Sequence, residues 1–185
     1  MEVLKKNFLS FTNKETLDSF FKLGKIVSFK KNEIYAFEGE IAKHFYIIKS
    51  GYARSYYEDE SGRQFIRTLF SPNKSTGALT SLVTNEPSKL TYDCLTDCVM
   101  YKFNYIEFKK ITKTDPDICQ FYCGVLEFIF AEIGDRFFDL SVLNATERYI
   151  KLKQEIPNID NIIAQYHIAS YLNVTPVQLS RIRKE

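Results

Sequence analysis

The spacing of apolar residues divides the chain into a helical start, a β-rich middle and a helical end. Residues 1–24 carry apolar side chains at helix-compatible intervals and end at Leu23-Gly24: Phe8, Phe11, Leu17, Phe20 and Phe21. From Lys25 to about Phe103 the pattern changes to short strand-like runs: KIVSF, EIYAF, HFYIIKSG, YARSYYE, RQFIRTLF, LTYDCL and CVMYKF. Turn residues separate these runs, and Asp59-Glu60-Ser61-Gly62 is typical of a hairpin loop. The pattern predicts a small antiparallel β-barrel or roll.

A long helix is predicted after Asp115-Pro116, over residues 116–143. Its apolar residues cover more than one face: Ile118, Phe121, Tyr122, Val125, Leu126, Phe128, Ile129, Ile133, Phe137 and Leu140. A helix that faces solvent on one side would show a single apolar stripe. We therefore expect one face to pack on the roll and the other on the same helix of a second copy. The alternative is a helix inside a larger monomeric core, but little chain remains to cover it.

The last residues predict two short helices joined by a tight turn, after a helix that Asn144 opens and that ends near Ile156-Pro157. The first of the two carries Ile168, Ala169 and Leu172 on one face, and Asn173 tolerates the left-handed conformation that ends a helix abruptly. The second starts with Thr175 as N-cap, Pro176 at the first helical position and Gln178 completing a capping box. Such a pair is a helix-turn-helix.

Charge supports a nucleic-acid interface only locally. The 185 residues are 45% hydrophobic and 26% charged, as in an ordinary globular protein, and the net charge of +2 is too small to argue for nucleic acid. From Asn161 to Lys184, however, there is no Asp or Glu, and Arg181, Arg183 and Lys184 gather at the end. A capped, acid-free helix suits DNA. The alternative is a solvated terminal helix whose cations only complement the helix dipole.

The N-terminal residues contain no apolar run long enough for a signal peptide, and no stretch reaches a membrane-spanning length. We therefore expect a cytoplasmic protein with reduced cysteines. Cys94 and Cys98 lie in one strand-like stretch, which would separate them by about 13 Å, too far for a disulfide or a shared metal. Cys119 and Cys123 are one helical turn apart. Packed free thiols are the expectation for all four, and no metal or cofactor is expected.

The strand pattern, the long helix and the terminal run "IASYLNVTPVQLSRIRK" together resemble the Crp/Fnr family of bacterial transcription regulators, whose sensor domain is cyclic-nucleotide-binding-like. The resemblance covers nearly the whole chain, and the terminal run is its most specific part. The stretch "FEGEIAKHFYIIKSGYAR" is similar to the early strands of the family's roll. One departure is length, since family members usually continue past the recognition helix, and this sequence ends at Glu185.

The resemblance implies a set of DNA-binding residues in the second helix. Thr175, Ser180, Arg183 and Lys184 would hold phosphates, while Pro176, Val177, Gln178 and Arg181 would face base edges. Arg181 is the expected guanine reader, because its guanidinium can pair with O6 and N7. Gln178 could pair with adenine, although its capping role competes. Family members dimerise through the long helix, which implies a palindromic operator on double-stranded DNA.

In members that bind cyclic AMP, a Gly-Glu-Leu stretch and a later Arg-Ser pair hold the ribose and the phosphate. The corresponding residues here are Gly77, Ala78 and Leu79, then Ser88 and Lys89. Ala78 lacks the ribose-binding carboxylate, and Lys89 does not reproduce the two-pronged geometry of Arg. Cyclic AMP is therefore not the expected ligand, and these five residues remain the candidate pocket for an unknown small effector.

Other chemistries have less support in the sequence. An iron–sulfur cluster would need clustered cysteines near the N-terminus, and the first cysteine is Cys94. A metal-binding barrel enzyme generally needs two or three clustered histidines, whereas this chain has His44 and His167 only. His44 is expected to be structural. His167 lies in the DNA-binding part and is expected either to bind phosphate or to pack. No catalytic motif appears, so an enzyme is not expected.

The sequence therefore predicts an α+β protein: an N-terminal antiparallel, jelly-roll-like β-roll with flanking helices, a long dimerisation helix and a C-terminal helix-turn-helix. The expected domains are a sensor over 1–115, the dimerisation helix over 116–143 and the DNA-binding domain over 144–185. The predicted function is a homodimeric, sequence-specific DNA-binding transcription regulator. The alternative is a module that binds an anionic or nucleotide-like ligand without regulating DNA directly.

Overall fold

The computed structural model describes residues 11–184. Its strands are β1 (Lys25–Phe29), β2 (Ile34–Ala36), β3 (His44–Ser50), β4 (Ala53–Glu58), β5 (Gln64–Phe70), β6 (Ser75–Thr76), β7 (Thr91–Cys94) and β8 (Cys98–Asn104). Its helices are α1 (Lys14–Lys22), α2 (Leu79–Thr84), α3 (Tyr105–Ile111), α4 (Pro116–Val142), α5 (Ala145–Glu155), α6 (Ile159–Ile162), α7 (Gln165–Tyr171) and α8 (Pro176–Ile182). The predicted α+β class with a long helix is confirmed.

The strands form two antiparallel four-stranded sheets, in the orders β1-β8-β3-β6 and β2-β7-β4-β5. Side chains of β3 alternate between two environments, as the two-residue period of a strand requires. Tyr46 and Ile48 belong to a buried cluster with Ala53, Cys94 and Met100 inside the roll. Ile47 instead packs against the helices outside it. The antiparallel roll predicted from the strand pattern is therefore confirmed.

Aromatic side chains attach the flanking helices to the roll. The Phe20 ring of α1 stacks on Phe103 of β8 with ring centroids 4.6 Å apart, and Phe45 of β3 stacks on Phe103 at 4.9 Å. Phe121 of α4 meets Phe20 edge-on at 5.0 Å. The first turns of α4 therefore belong to the same core as α1 and the roll.

The apolar side chains of helix α4 are buried only over its first part. Asp115 caps it by accepting from the backbone N–H groups of Asp117 and Ile118, both at 3.0 Å. Ile118 and Phe121 are buried, but farther along Phe130 is 79% exposed and Phe137 is 74% exposed. None of the helices within residues 11–184 combines the length and hydropathy needed to cross a membrane.

Two local expectations from the sequence need correction. Within the described residues the first helix begins at Lys14 and not earlier, because the Asn13 side chain caps it by accepting from Thr16 N at 2.9 Å; Phe8 lies outside the described residues. The single strand expected to hold Cys94 and Cys98 was also wrong. Cys94 ends β7 and Cys98 begins β8 in the other sheet, and the neighbouring Cys98 thiol, together with burial, raises the pKa of Cys94.

Gly51 allows a close approach of two chain segments and gives a test of the packing of the roll. It has φ of +93°, and an added Cβ would lie 2.3 Å from the Asp97 carbonyl oxygen. Gly62 has a similar φ of +80° but open space around it. We expect G62A to lower the free energy of unfolding by about 1–2 kcal/mol from backbone strain alone. G51A should cost about 1–3 kcal/mol more because of the clash.

The measurement is urea unfolding of both variants, followed by circular dichroism. An equal decrease in the free energy of unfolding in G51A and G62A would contradict the close approach at Gly51.

Candidate nucleic-acid interface and sensor pocket

The start of α8 is fixed by side-chain caps, as the sequence predicted. Gln178 N donates to Thr175 Oγ1 at 3.2 Å, and Thr175 N donates to Gln178 Oε1 at 2.8 Å, which forms the capping box with Pro176 at the first helical position. Because Oε1 of Gln178 serves the cap, its amide nitrogen is the group left to face a base. Gln178 is therefore first a structural residue of the helix start.

The outer face of α8 is presented to solvent. Leu179 is completely buried, whereas Val177 is 63% exposed and the side chains around it point outward. Of the predicted DNA-binding residues, Thr175, Pro176, Val177, Gln178, Arg181, Arg183 and Lys184 are exposed and Ser180 is half-buried. The structure thus brings all eight to one helix and the residues that flank its two ends.

Arg183 differs from the other cations of this helix. Its Nε lies 3.5 Å from Asp160 Oδ1, and the second oxygen of Asp160 accepts from the Tyr149 hydroxyl at 2.6 Å. Burial and this hydrogen bond raise the pKa of Tyr149 to about 12, so the phenol stays protonated and donates. The charge of Arg183 is therefore partly balanced by Asp160 within the protein.

The turn between α7 and α8 brings the two helices together. Asn173 has φ of 56°, the left-handed conformation expected for it, and Val174 N donates to Ala169 O at 3.0 Å. Ile168, Ala169, Leu172 and Leu179 are completely buried in the cluster between these helices, α5 and α6. An open groove of about 420 Å³ separates α8 from the start of α5 and is lined by Asn144, Ala145, Thr146, Gln178, Arg181 and Ile182.

Two arginines attach the long helix and α5 to the end of α7. Arg136 of α4 donates to Tyr171 O, and its guanidinium lies 3.8 Å from the centre of the Tyr171 ring. Arg148 of α5 donates through Nη2 to Leu172 O at 3.0 Å. The last carbonyls of a helix need partners, and here α4 and α5 supply them.

A buried ion pair in the roll reaches the helix-turn-helix. Arg54 of β4 donates to both carboxylate oxygens of Asp93 of β7, each at 2.8 Å, and through Nη1 to His167 Nδ1 of α7 at 2.9 Å. Because a guanidinium only donates, Nδ1 must accept, so His167 is neutral with its proton on Nε2. Of the two expectations for His167, the packed position is the observed one.

The predicted effector pocket is closely packed in part. Ala78 and Ser88 are buried, and an added Cβ on Gly77 would lie 3.2 Å from Phe45 Cα. The Ser88 hydroxyl already donates to Leu90 O at 2.7 Å. Leu79 is half-buried and Lys89 is exposed. Of these residues, Lys89 therefore has the side chain most accessible to an anion.

Tyrosines fill the neighbouring interior of the roll. Tyr35 Oη and Thr76 Oγ1 form a hydrogen bond of 2.7 Å, and the rings of Tyr35 and Tyr46 pack edge-on with centroids 5.1 Å apart. Burial raises the pKa of Tyr35, so it remains neutral. Within residues 11–184 no group of three or more His, Cys, Asp or Glu side chains is arranged to hold a metal ion.

Comparison with known proteins defines the class of this fold. Residues 26–115 match the family model of the cyclic nucleotide-binding domain, which spans nearly the whole roll, α2 and α3. The roll is therefore similar to the cyclic nucleotide-binding domain family. The chain as a whole has the fold of the Crp/Fnr regulators, as the resemblance in the sequence predicted.

Individual structures show how far the similarity extends. FixK2 from Bradyrhizobium japonicum matches with a TM-score of 0.74 and 18% identity, over 87% of this chain and 83% of that one. The global regulator CLP from Xanthomonas campestris gives 0.71 and 13%, over 93% and 90%. The catabolite activator protein of Thermus thermophilus gives 0.58 and 15%, over 93% and 82%. No curated protein matches the sequence significantly.

The contacts that attach the helix-turn-helix to the roll were not predicted from the sequence. Arg54 and Asp93 are charged residues inside apolar strand runs, which was the available signal for a buried ion pair. Their bond to His167, however, joins residues 113 positions apart. The sequence alone does not say which strand α7 packs against.

The buried histidine generates a prediction for stability against pH. Burial, and then the charge of Arg54, lower the pKa of His167 from 6.5 to about 4, with Asp93 opposing the shift and Lys31 adding to it. Between these two pKa values the unfolded chain binds more protons than the folded one. The contribution of neutral His167 to the free energy of unfolding is therefore complete above pH 6.5, and it is lost as the pH falls toward 4.

In H167Q the free energy of unfolding should no longer fall for this reason as the pH is lowered. The Gln oxygen can accept from Arg54, and it does not titrate. Urea unfolding of both proteins across this pH range measures the difference. Parallel curves for wild type and H167Q would contradict the assignment.

Proposed function

We propose that this protein is a homodimeric, sequence-specific DNA-binding transcription regulator of the Crp/Fnr type. The observation that carries the proposal is α8, a capped helix with an exposed, acid-free outer face that presents Arg181 beside Val177 and Gln178. A helix of this kind fits the major groove with its N-terminal part, where side chains reach base edges. The proposal keeps the domain division expected from the sequence: a sensor over 1–115, a dimerisation helix over 116–143 and a DNA-binding domain over 144–185.

The exposed part of α4 supports a dimer. Five apolar residues are spaced alternately by four and three positions, as in a coiled-coil seam: Leu126, Phe130, Ile133, Phe137 and Leu140. Phe130 and Phe137 are among the most exposed large apolar side chains in the described chain. Contiguous exposed apolar surface marks an interaction site, and a two-fold dimer would place two copies of α8 on one face of DNA.

Selection of binding sites from a random duplex pool, with no nucleotide added, tests the function directly. We expect enrichment of a palindrome whose half-sites lie one helical turn, or a multiple, apart. Binding should weaken steeply with salt, because phosphate contacts release counterions. Failure to enrich any sequence, together with saturable binding of a nucleotide, would support the ligand-binding alternative instead.

Arg181 is the proposed base reader, and its substitution separates specific from general DNA binding. We expect R181A to cost about 1–3 kcal/mol on the selected operator and to relax preference at one base pair. K184A is the matched control, since loss of a phosphate contact should weaken operator and random duplex alike. Titrations of both duplexes with both variants give the comparison. An equal loss on both duplexes in R181A would overturn its role as base reader.

The seam on α4 predicts that single charges will separate the dimer. We expect F130E and F137E to sediment as monomers at concentrations where the wild type is a dimer, because two buried carboxylates would face each other across the axis. I26E is the control, since Ile26 is an equally apolar residue of β1 that is 59% exposed outside this helix. A dimer that persists in both α4 variants would place the interface elsewhere.

A further inference from the structure

Ser170 of α7 attaches the helix-turn-helix to the edge of a sheet. Its hydroxyl accepts from Ile66 N at 3.0 Å and donates to Gln64 O at 3.0 Å. Strand β5, which carries both backbone groups, is the outer strand of its sheet. The hydroxyl therefore takes the place that a neighbouring strand would occupy at this point, and it satisfies one donor and one acceptor of that edge.

His167 makes a second attachment on the same side of α7. It lies three residues before Ser170, one helical turn away, so the two side chains project from one face. Its partner Arg54 is buried and held on both carboxylate oxygens of Asp93, so His167 is bonded to a fixed group of the roll. Two attachments a turn apart fix both the position of α7 and its rotation about its own axis.

Apolar contacts carry this orientation to the recognition helix. Leu95, Tyr52 and Leu69 of the roll belong to the same cluster as the core of the helix-turn-helix. Leu179 of α8 is completely buried in that cluster. Because α8 packs on α7 and α7 is attached to β5, the direction of the outer face of α8 follows from the roll.

We propose that Ser170 and His167 are positioning residues that fix the orientation of the recognition helix on the roll, and thereby set the half-site spacing that the dimer accepts. The inference rests on the proposed function. It adds that the edge of β5, and not only the long helix, determines the distance between the two copies of α8. Neither side chain touches DNA in this scheme.

The first test compares operators that differ only in spacing. Affinities are measured for the selected palindrome and for versions with one or two base pairs inserted or removed between the half-sites. The wild type should prefer the selected spacing by about tenfold or more. In S170A/H167A the preference should fall to about two- to threefold, because α7 then loses both of its hydrogen-bonded attachments to the roll. A ratio of affinities is unaffected by a loss of folded protein, which lowers binding to every duplex equally.

Matched variants separate positioning from general damage. S170T keeps a hydroxyl and H167Q keeps an acceptor, so both should retain the spacing preference. S61A removes an exposed serine from the β4–β5 loop and should behave as wild type. If the double variant does not fold, S170A alone is compared with S170T.

The outcomes distinguish the two proposals. A wild type that binds no duplex would overturn the proposed function, and this inference with it. A wild type that binds with a defined spacing, and a double variant with the same preference, would overturn this inference only. Tighter operator binding by the double variant would also overturn it, because the attachment would then oppose DNA binding.

Hydrogen exchange of the full-length protein without DNA provides a second measurement. The Ile66 amide donates to Ser170, so it should exchange slowly in the wild type and in S170T and rapidly in S170A. Exchange in the wild type as fast as that of a free edge amide would show that the attachment does not form, and would overturn the inference.

Discussion

The buried guanidinium of Arg54 is the group on which the relation between the two parts of the molecule depends. A buried ion pair is tolerated only when its remaining polar atoms are also bonded. Asp93 accepts from Nε and Nη2, and the Tyr56 ring lies 4.1 Å from the guanidinium carbon, but Nη1 needs a further acceptor. His167 supplies it from α7. Nη1 of Arg54 is thus a donor that the helix-turn-helix satisfies. The contact between the two parts therefore includes a directional hydrogen bond in addition to apolar packing.

A second constraint is the division of α4 into two environments. Its first turns share a core with α1 and the roll, where Phe121 packs against Phe20. Beyond them Arg136 fastens one side of the helix to α7 through Tyr171, while Phe130 and Phe137 lie on exposed positions. The same helix therefore contacts the roll, the helix-turn-helix and, by our proposal, a second copy.

Local signals in the sequence were sufficient for most of the elements. The capping box of Thr175 and Gln178 and the left-handed Asn173 each depend on neighbours within a few residues, and all are present as predicted. Contacts between distant segments were not predictable in this way. Ser170 and Ile66 are 104 residues apart, and nothing near Ser170 indicates that its hydroxyl meets a strand edge. The expectation of one strand through Cys94 and Cys98 was wrong for a related reason, since residues 95–97 end β7 and lead the chain into the other sheet.

The position of β7 links the predicted effector pocket to this contact. Ser88 and Lys89 lie immediately before β7, and Asp93 follows within the same strand. Ser88 N donates to Glu40 O and Gly39 N donates to Ser88 O, both at 2.8 Å, so the start of this segment is fixed to the loop after β2. A shift of the segment would therefore move β7. In that strand Asp93 accepts from Arg54, which in turn donates to His167. One covalent and hydrogen-bonded route from the predicted pocket to α7 therefore runs through that ion pair.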